Sequence, residues 1–200
     1  MKIEKAFTVL FDDEKWLNKT LMGALFAFLS MFLIGIPFLM GYVIRMVKQG
    51  MAGQFLPLPE WDDLGGLFKE GIMFCVVILV YGIGLSIISV MLNIIPCLGF
   101  ILSLIVMMLF GGVFAYLVIT FAKTGKIEDC FDFKGMYSFI EKNLSNLVMY
   151  ILFVFVLNII ASFGVILIFI GVFFSYFWFL VGNAYLIVEL EKEAKHAIVE

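Results

Sequence analysis

Charge is absent from three long stretches of this chain, residues 20–44, 71–122 and 143–188, although 14% of all residues are charged. A helix of a soluble protein turns one face to water, so it rarely runs this far without a charged side chain. A bilayer requires the opposite, roughly 20 apolar residues for each helical span. The first stretch therefore fits one span, and each of the other two fits two spans joined by a tight turn.

Histidine and cysteine are also scarce, which narrows the chemistry open to the chain. The one histidine, His196, lies in a charged tail, so the apolar segments lack the usual general base. Cys75, Cys97 and Cys130 show neither metal-ligand nor redox spacing. No nucleophile–base pair, glycine-rich phosphate loop or zinc motif occurs. We therefore predict no catalytic residues, no metal, no cofactor and no enzymatic activity, and a net charge of −3 gives no reason to expect nucleic acid.

Apolar residues are abundant instead: they make up 64% of the chain, and its mean hydropathy is +1.14. Soluble domains are only about 45–50% apolar. The composition predicts an all-α polytopic transmembrane bundle, a single domain over 1–200 with about five hydrophobic segments. Residues 1–16 are an interfacial amphipathic segment. Residues 48–69 and 123–143 are polar loops, and 189–200 form a charged tail.

The first hydrophobic segment, about 17–47, is interrupted by Gly35-Ile36-Pro37. Proline removes a backbone donor and clashes with the preceding turn, so we expect a break there. A re-entrant hairpin would put the N-terminus on the side of the polar loops, and one full span would put it on the opposite side. We favour the hairpin because Phe11-Asp12-Asp13 resembles the sequences that precede later helices.

An internal repeat is predicted from two matching stretches, 93–102 and 158–167, which share Asn-Ile-Ile and a following glycine. Each match falls at an expected tight turn. A unit that enters and leaves the membrane on one side gives a parallel repeat, with its axis along the membrane normal.

Basic residues lie in both polar loops and in the tail, and they are absent from the expected tight turns. The positive-inside rule then makes loops 48–69 and 123–143 and the C-terminus cytoplasmic, in a multi-pass protein of the cell membrane.

Acidic residues stand before each predicted helix, and the helix dipole favours carboxylates at that end, so capping is the first interpretation. If the loops share one face, they would instead form a partner-docking or divalent-cation site. The candidate residues for such a loop site are Glu60, Trp61, Asp62, Asp63 and Asp132.

Small residues spaced four apart let helices approach closely in lipid. Packing inside the bundle is the first interpretation, and contact within a homo-oligomer is the alternative. The aromatic run at 173–179 packs against the bundle or lipid, or else lines a lipid or quinone groove. The candidate packing pairs are Gly23/Ala27, Gly111/Ala115 and Gly171/Ser175.

Three sets of residues carry a family resemblance: Phe11-Asp12 with Trp16 and Lys19, Gly41-Tyr42 with Arg45, and above all the Leu-Pro-Glu-Trp-Asp-Asp string at 58–63, leading into Gly71. With the length, they resemble an uncharacterised prokaryotic integral-membrane family, abundant in archaea and known only as a domain of unknown function. The likeness covers nearly the whole chain. It implies a multi-pass architecture and brings no activity.

The function expected from these features is non-enzymatic: membrane organisation, lipid interaction or assembly with protein partners. The lipid bilayer is the expected partner, with a homo-oligomer left open. A channel or transporter, as a monomer or an oligomer, is the alternative, because broken helices often frame transport sites. An intramembrane enzyme acting on lipid is a third hypothesis.

Overall fold

A computed structural model of the chain describes residues 4–94, 98–164 and 170–199. Those ranges are helical and contain no strand, so the all-α prediction is confirmed for them. The helices are α1 (Lys5–Thr8), α2 (Trp16–Leu29), α3 (Gly35–Met51), α4 (Leu64–Leu92), α5 (Leu98–Thr124), α6 (Phe133–Lys142), α7 (Leu144–Ser162) and α8 (Ile170–Val199), with 3-10 turns at Ser30–Phe32 and Glu128–Phe131.

Three of the described helices are long and apolar enough to cross a membrane: α4, α7 and the 171–195 part of α8. They differ in the share of their residues that is buried inside the protein. Only 6% of the most apolar window of α4 is buried, against 56% for α8. Every residue of 180–191 is buried, because α8 contacts α1, α2, α3, α5, α6 and α7. The core therefore lies around the second half of α8, while α4 and α7 present apolar side chains outward.

The first hydrophobic segment is broken just before the predicted position. The chain leaves α2 through a 3-10 turn, Leu33 adopts a left-handed φ of 65°, and α3 begins at Gly35. Pro37 lies in the first turn of α3, where its missing N–H removes no helical hydrogen bond. A Cβ at Gly35 would lie 1.9 Å from the carbonyl oxygen of Phe26, so only glycine permits this approach of the two helices.

Helices α2 and α3 form an antiparallel hairpin. Phe26 of α2 stacks on Phe38 of α3, with ring centroids 4.6 Å apart. Near the start of α2, the carbonyl of Lys19 accepts a hydrogen bond of 3.2 Å from the indole N–H of Trp61, which follows α3. The start of α2 and the loop after α3 therefore lie at the same end of the hairpin.

Helices α3 and α4 approach each other closely through two glycines that sequence analysis did not select as packing residues. A Cβ at Gly41 would lie 2.0 Å from the carbonyl oxygen of Leu67, and one at Gly71 would lie 1.6 Å from that of Pro37. Small residues permit such contact between helices in lipid.

Several segment boundaries differ from the predicted ones. Helix α3 continues to Met51 and α4 begins at Leu64, so the first loop shrinks to 52–63. The predicted second loop, 123–143, contains α6, so only 125–132 remains between α5 and α6, and α8 runs through the charged tail. The expected tight turns, and Cys97 with them, lie largely outside the described residues, which omit 95–97 and 165–169.

The N-terminal segment packs against the bundle. In α1, Ala6 is buried, and the carbonyl of Phe7 accepts a hydrogen bond of 3.0 Å from the indole N–H of Trp178 in α8. Its position at a membrane interface stays a prediction.

Candidate functional site

A buried ion pair lies where the N-terminal segment enters the bundle. Nζ of Lys19, near the start of α2, is 2.9 Å from Oδ2 of Asp13, and the two side chains are only 2% and 1% exposed. Burying a charge costs several kcal/mol unless it is paired and hydrogen-bonded. The contacts around this pair are therefore the first place to look for a role.

The ion pair holds the backbone of Leu58 on both sides. Nζ of Lys19 donates to the Leu58 carbonyl at 2.6 Å, and the Leu58 N–H donates to Oδ2 of Asp13 at 2.7 Å. Leu58 is itself 2% exposed. We call Asp13, Lys19 and Leu58 the ion-pair clamp, because the two charges fix the first polar loop, 52–63, to the start of α2.

Asp13 was expected to cap the helix that follows it, but in the structure it belongs to the clamp. The N-cap position of α2 is Lys15, which makes no side-chain cap bond, although the Lys15 N–H donates to Oδ1 of Asp13 at 2.8 Å. Burial favours the neutral acid, but the hydrogen bonds from Lys19, Leu58 and Lys15 outweigh it and hold the pKa of Asp13 below its ordinary 3.8. The ionised form therefore stabilises the fold above pH 3.8, and that contribution is lost as the pH falls through the lower pKa of the folded state.

Trp61 fixes the same loop through its ring. It stacks between Tyr42, at a centroid distance of 4.2 Å and 10° between ring planes, and Phe26, at 4.9 Å and 20°. The Tyr42 hydroxyl donates to the carbonyl of Pro59 at 2.8 Å. Trp61, predicted as a docking residue, thus joins α2, α3 and the loop.

Glu60 and Asp62 are exposed members of the predicted loop site. Oε1 of Glu60 lies 3.2 Å from Nζ of Lys15 and 3.4 Å from Nζ of Lys19. Oδ1 of Asp62 accepts the N–H of Asp63 at 2.9 Å.

Asp63 is the N-cap of α4, as the cap prediction allowed. Its Oδ1 accepts the N–H of Gly66 at 2.9 Å, and its Oδ2 lies 2.6 Å from the guanidinium of Arg45. The bond from Gly66 and the pairing with Arg45 lower the pKa of Asp63 below its usual range.

Asp132 lies apart in the second polar loop, 125–132, where its Oδ1 accepts the N–H of Gly135 at 3.0 Å and caps α6. The Tyr81 hydroxyl donates to the Cys130 carbonyl at 2.7 Å, and the Tyr81 ring stacks on Phe131. Burial, with a smaller contribution from a neighbouring carboxylate, raises the pKa of the Cys130 thiol to about 11. In the described part of the chain, no group of three or more His, Cys, Asp or Glu side chains could hold a metal ion.

The predicted packing pair in α2 faces α8. A Cβ at Gly23 would lie 2.1 Å from the ring of Phe177, and Ala27 is buried one turn later. Glycine is therefore required where α2 crosses the aromatic run of α8.

The other two packing pairs lie on α5 and α8. Ala115 is fully buried, and a Cβ at Gly111 would meet Ile151 of α7 at 3.7 Å, an ordinary contact. The Ser175 hydroxyl donates to the carbonyl of Gly171 at 2.7 Å, within its own helix.

A largely apolar groove of about 640 Å³ lies beside the clamp, between α1, α2, the end of α7 and the start of α8. Two hydroxyls border it, and both donate within their own helices: Thr20 to the carbonyl of Trp16 at 2.6 Å, and Ser175 to that of Gly171. Neither hydroxyl needs a ligand as acceptor. The lining residues of this apolar groove are Phe7, Leu10, Phe11, Trp16, Thr20, Ile160, Phe163, Gly164, Gly171, Phe174, Ser175 and Trp178.

A family model described as "Protein of unknown function (DUF4013)" matches residues 24–170, more than half of the chain. The chain belongs to this family. No curated protein and no solved structure matches it. The DUF4013 match includes Leu58 and Trp61 but begins after Asp13 and Lys19, so two of the three clamp residues, including both charges, lie outside it.

The clamp is the feature that sequence reasoning missed in this DUF4013 member. One signal was available, because Lys19 is the last charge before the first charge-free stretch. Its partner could not be inferred, because Asp13 precedes α2 and the helical spacing of three or four residues does not apply to it.

Proposed function

We propose that the chain is an integral membrane protein without enzymatic activity that holds a lipid acyl chain in the apolar groove. The observation that supports this proposal is the size and apolar lining of the groove. Its volume is within the roughly 300–1,000 Å³ of typical ligand sites. Its two hydroxyls already have acceptors, so an apolar ligand would leave no polar group unpaired.

The arrangement of the ionisable groups supports a non-catalytic role. Asp13 and Lys19 are the buried charges nearest the groove, and each already has hydrogen-bond partners within the clamp. A general acid or base must be free to exchange a proton with substrate. These two groups instead hold a loop in position.

We also propose the membrane topology. Helices α4, α5, α7 and α8 each cross the bilayer of the cell membrane, and α2 with α3 forms the re-entrant hairpin. Both polar loops, the N-terminus and the end of α8 then lie in the cytoplasm. Contact between the start of α2 and the first loop supports this arrangement, as do the matching caps of α4 and α6, which agree with an internal parallel repeat.

Photoaffinity labelling tests the lipid proposal. We expect a phospholipid with a photoreactive acyl chain, reconstituted with the protein, to label α1 and the first half of α8 preferentially. Ser175→Trp should fill the groove and suppress that labelling. Phe174→Trp is a milder second variant, in case the first disturbs the contact of Ser175 with Gly164.

The matched control is Ser86→Trp, because Ser86 lies exposed on α4, away from the groove. It should leave the labelling of α1 and α8 unchanged. Equal labelling of all apolar helices, or labelling that both groove variants leave intact, would count against the proposal.

A channel or transporter is the second candidate, and the broken first segment beside a buried ion pair favours it. Ionisable residues inside membrane proteins often mark transport paths. Ion or solute flux in proteoliposomes that Lys19→Met abolishes, in protein that stays folded, would favour transport over lipid binding.

A further inference from the structure

A second cavity, of about 320 Å³, lies at the charged end of α8, where α5 ends and α6 passes into α7. Three lysines line it: Lys123 of α5, Lys142 of α6 and Lys195 of α8. Among the described lining residues, the one carboxylate is that of Glu191. We call this space the basic cavity.

Glu191 holds two of the lysines in place. Its side chain is only 2% exposed, and its Oε1 lies 3.0 Å from Nζ of Lys123 and 2.8 Å from Nζ of Lys195. The two lysine side chains remain about half exposed, at 44% and 58%. Since one carboxylate faces three ammonium groups, the cavity keeps an excess of positive charge toward an incoming anion.

The floor of the cavity offers acceptors that lack a donor. Asn143 is 4% exposed, and its Nδ2 donates to the carbonyl of Phe139 at 2.9 Å. Its Oδ1 is buried and accepts no hydrogen bond from the described residues. Oε2 of Glu191 is also buried and also accepts no hydrogen bond from them. Leaving a buried acceptor unpaired is unfavourable, because it has lost its hydrogen bonds to water. A ligand that completes this site therefore brings a hydroxyl as well as an anion.

We propose that the basic cavity binds a polyol phosphate. The phosphate oxygens accept hydrogen bonds from Lys142, Lys195 and Lys123 at the rim, and a hydroxyl of the polyol donates to Oδ1 of Asn143 on the floor. Two sources carry this chemistry: the headgroup of an anionic phospholipid such as phosphatidylglycerol, and free glycerol phosphate. Basic pockets between membrane helices are a known mode of headgroup recognition. The basic cavity does not share a residue with the apolar groove, so either proposal can fail alone.

Binding is measured on the full chain in neutral detergent with three probes: short-chain phosphatidylglycerol, short-chain phosphatidylmethanol and glycerol 3-phosphate. We expect the double variant Lys142→Gln, Lys195→Gln to weaken phosphatidylglycerol binding about thirtyfold, because each lost lysine contact is worth about 1 kcal/mol. Lys123 still pairs Glu191 in that variant. The matched control Lys69→Gln, Lys134→Gln removes two exposed lysines elsewhere and should change the affinity less than about twofold.

The hydroxyl requirement has its own test, because phosphatidylmethanol carries the same charge and lacks the glycerol hydroxyls. The unmutated protein should bind phosphatidylglycerol about tenfold more tightly than phosphatidylmethanol, and Asn143→Ala should abolish that preference. The lysine comparison does not depend on this variant, should it fold poorly.

The results distinguish a lipid headgroup from a free polyol phosphate, and they also show whether the site exists. Binding of phosphatidylglycerol without binding of glycerol 3-phosphate identifies a lipid headgroup. Equal binding of both identifies a free polyol phosphate, and either result supports the site. Equal weakening by the control pair, or no discrimination between the two lipids by the unmutated protein, would overturn the proposal.

Discussion

The two polar loops begin their following helices in the same way but are held by different interactions. In each, an aspartate accepts the N–H of a glycine three residues later: Asp63 from Gly66 before α4, and Asp132 from Gly135 before α6. The first loop is fixed by the ion-pair clamp and by stacking of Trp61. The second is held by neutral contacts: the Tyr81 hydroxyl and ring contact the loop at Cys130 and Phe131, and the buried Cys130 thiol lies 3.9 Å from the Leu117 carbonyl oxygen.

This difference determines how much stability each loop loses when one of its contacts is removed. The first depends on two buried charges, and removing one leaves the other unpaired in a site that water does not reach. The second depends on neutral contacts, so each loss costs only the contact removed. The loops therefore resemble each other in sequence but should differ in their response to substitution.

The largest effect is expected from Lys19→Met, which leaves Asp13 buried without its cation. Removing one partner of a buried pair costs about 3–5 kcal/mol. The free energy of unfolding in mixed detergent micelles measures the loss. Lys126→Met, at an exposed lysine of the second loop, is the control and should change it by less than about 0.5 kcal/mol. Similar small changes in both variants would show that the clamp contributes nothing.

A smaller difference is expected between the aromatic residues of the loops. Trp61→Ala removes a ring stacked on two sides and should destabilise by about 3 kcal/mol. Phe131→Ala removes a ring whose stacking partner is Tyr81 and should cost about 1 kcal/mol. Unfolding followed by circular dichroism compares them, because that signal does not depend on tryptophan. An equal or larger cost for Phe131→Ala would contradict the ranking of the loops.

The smallest effect is expected where the two loops are most alike. Tyr42→Phe and Tyr81→Phe each remove one hydroxyl that donates to a loop carbonyl, at 2.8 and 2.7 Å. Each should cost about 1 kcal/mol. Amide hydrogen exchange should rise only in the loop that loses its bond. Faster exchange in both loops after either substitution would show that the two loops are coupled, and would contradict the view that each is held by its own contacts.

Sequence patterns predicted the elements better than their contacts. Charge-free stretches indicated the apolar helices, because a long uncharged segment that lies in lipid must satisfy its backbone hydrogen bonds internally, as a helix does. The glycine–proline interruption predicted the break, which lies a few residues earlier because Pro37 is tolerated in a first helical turn. Capping by an aspartate was predicted before α4, by Asp62 or Asp63, and before α6, by Asp132, since a cap depends on residues within one turn of it.

The long-range contacts could not be predicted in the same way. Gly41 and Gly71 were not selected as packing residues, because their partners are backbone carbonyls on another helix. The burial of α8 could not be predicted either, because α4 and α7 are more apolar than α8 and yet remain mostly exposed on the outside of the bundle.

By itself, the sequence determined that this chain is helical, where its apolar helices lie and that aspartates begin two of its helices, because these properties depend on composition and on neighbours along the chain. Only the tertiary structure decided that Lys19 meets Asp13 around Leu58, that α8 lies at the centre, and that three lysines from three helices line one cavity with Asn143. Those contacts join residues far apart in sequence, and they exist because packing brings specific helix faces together.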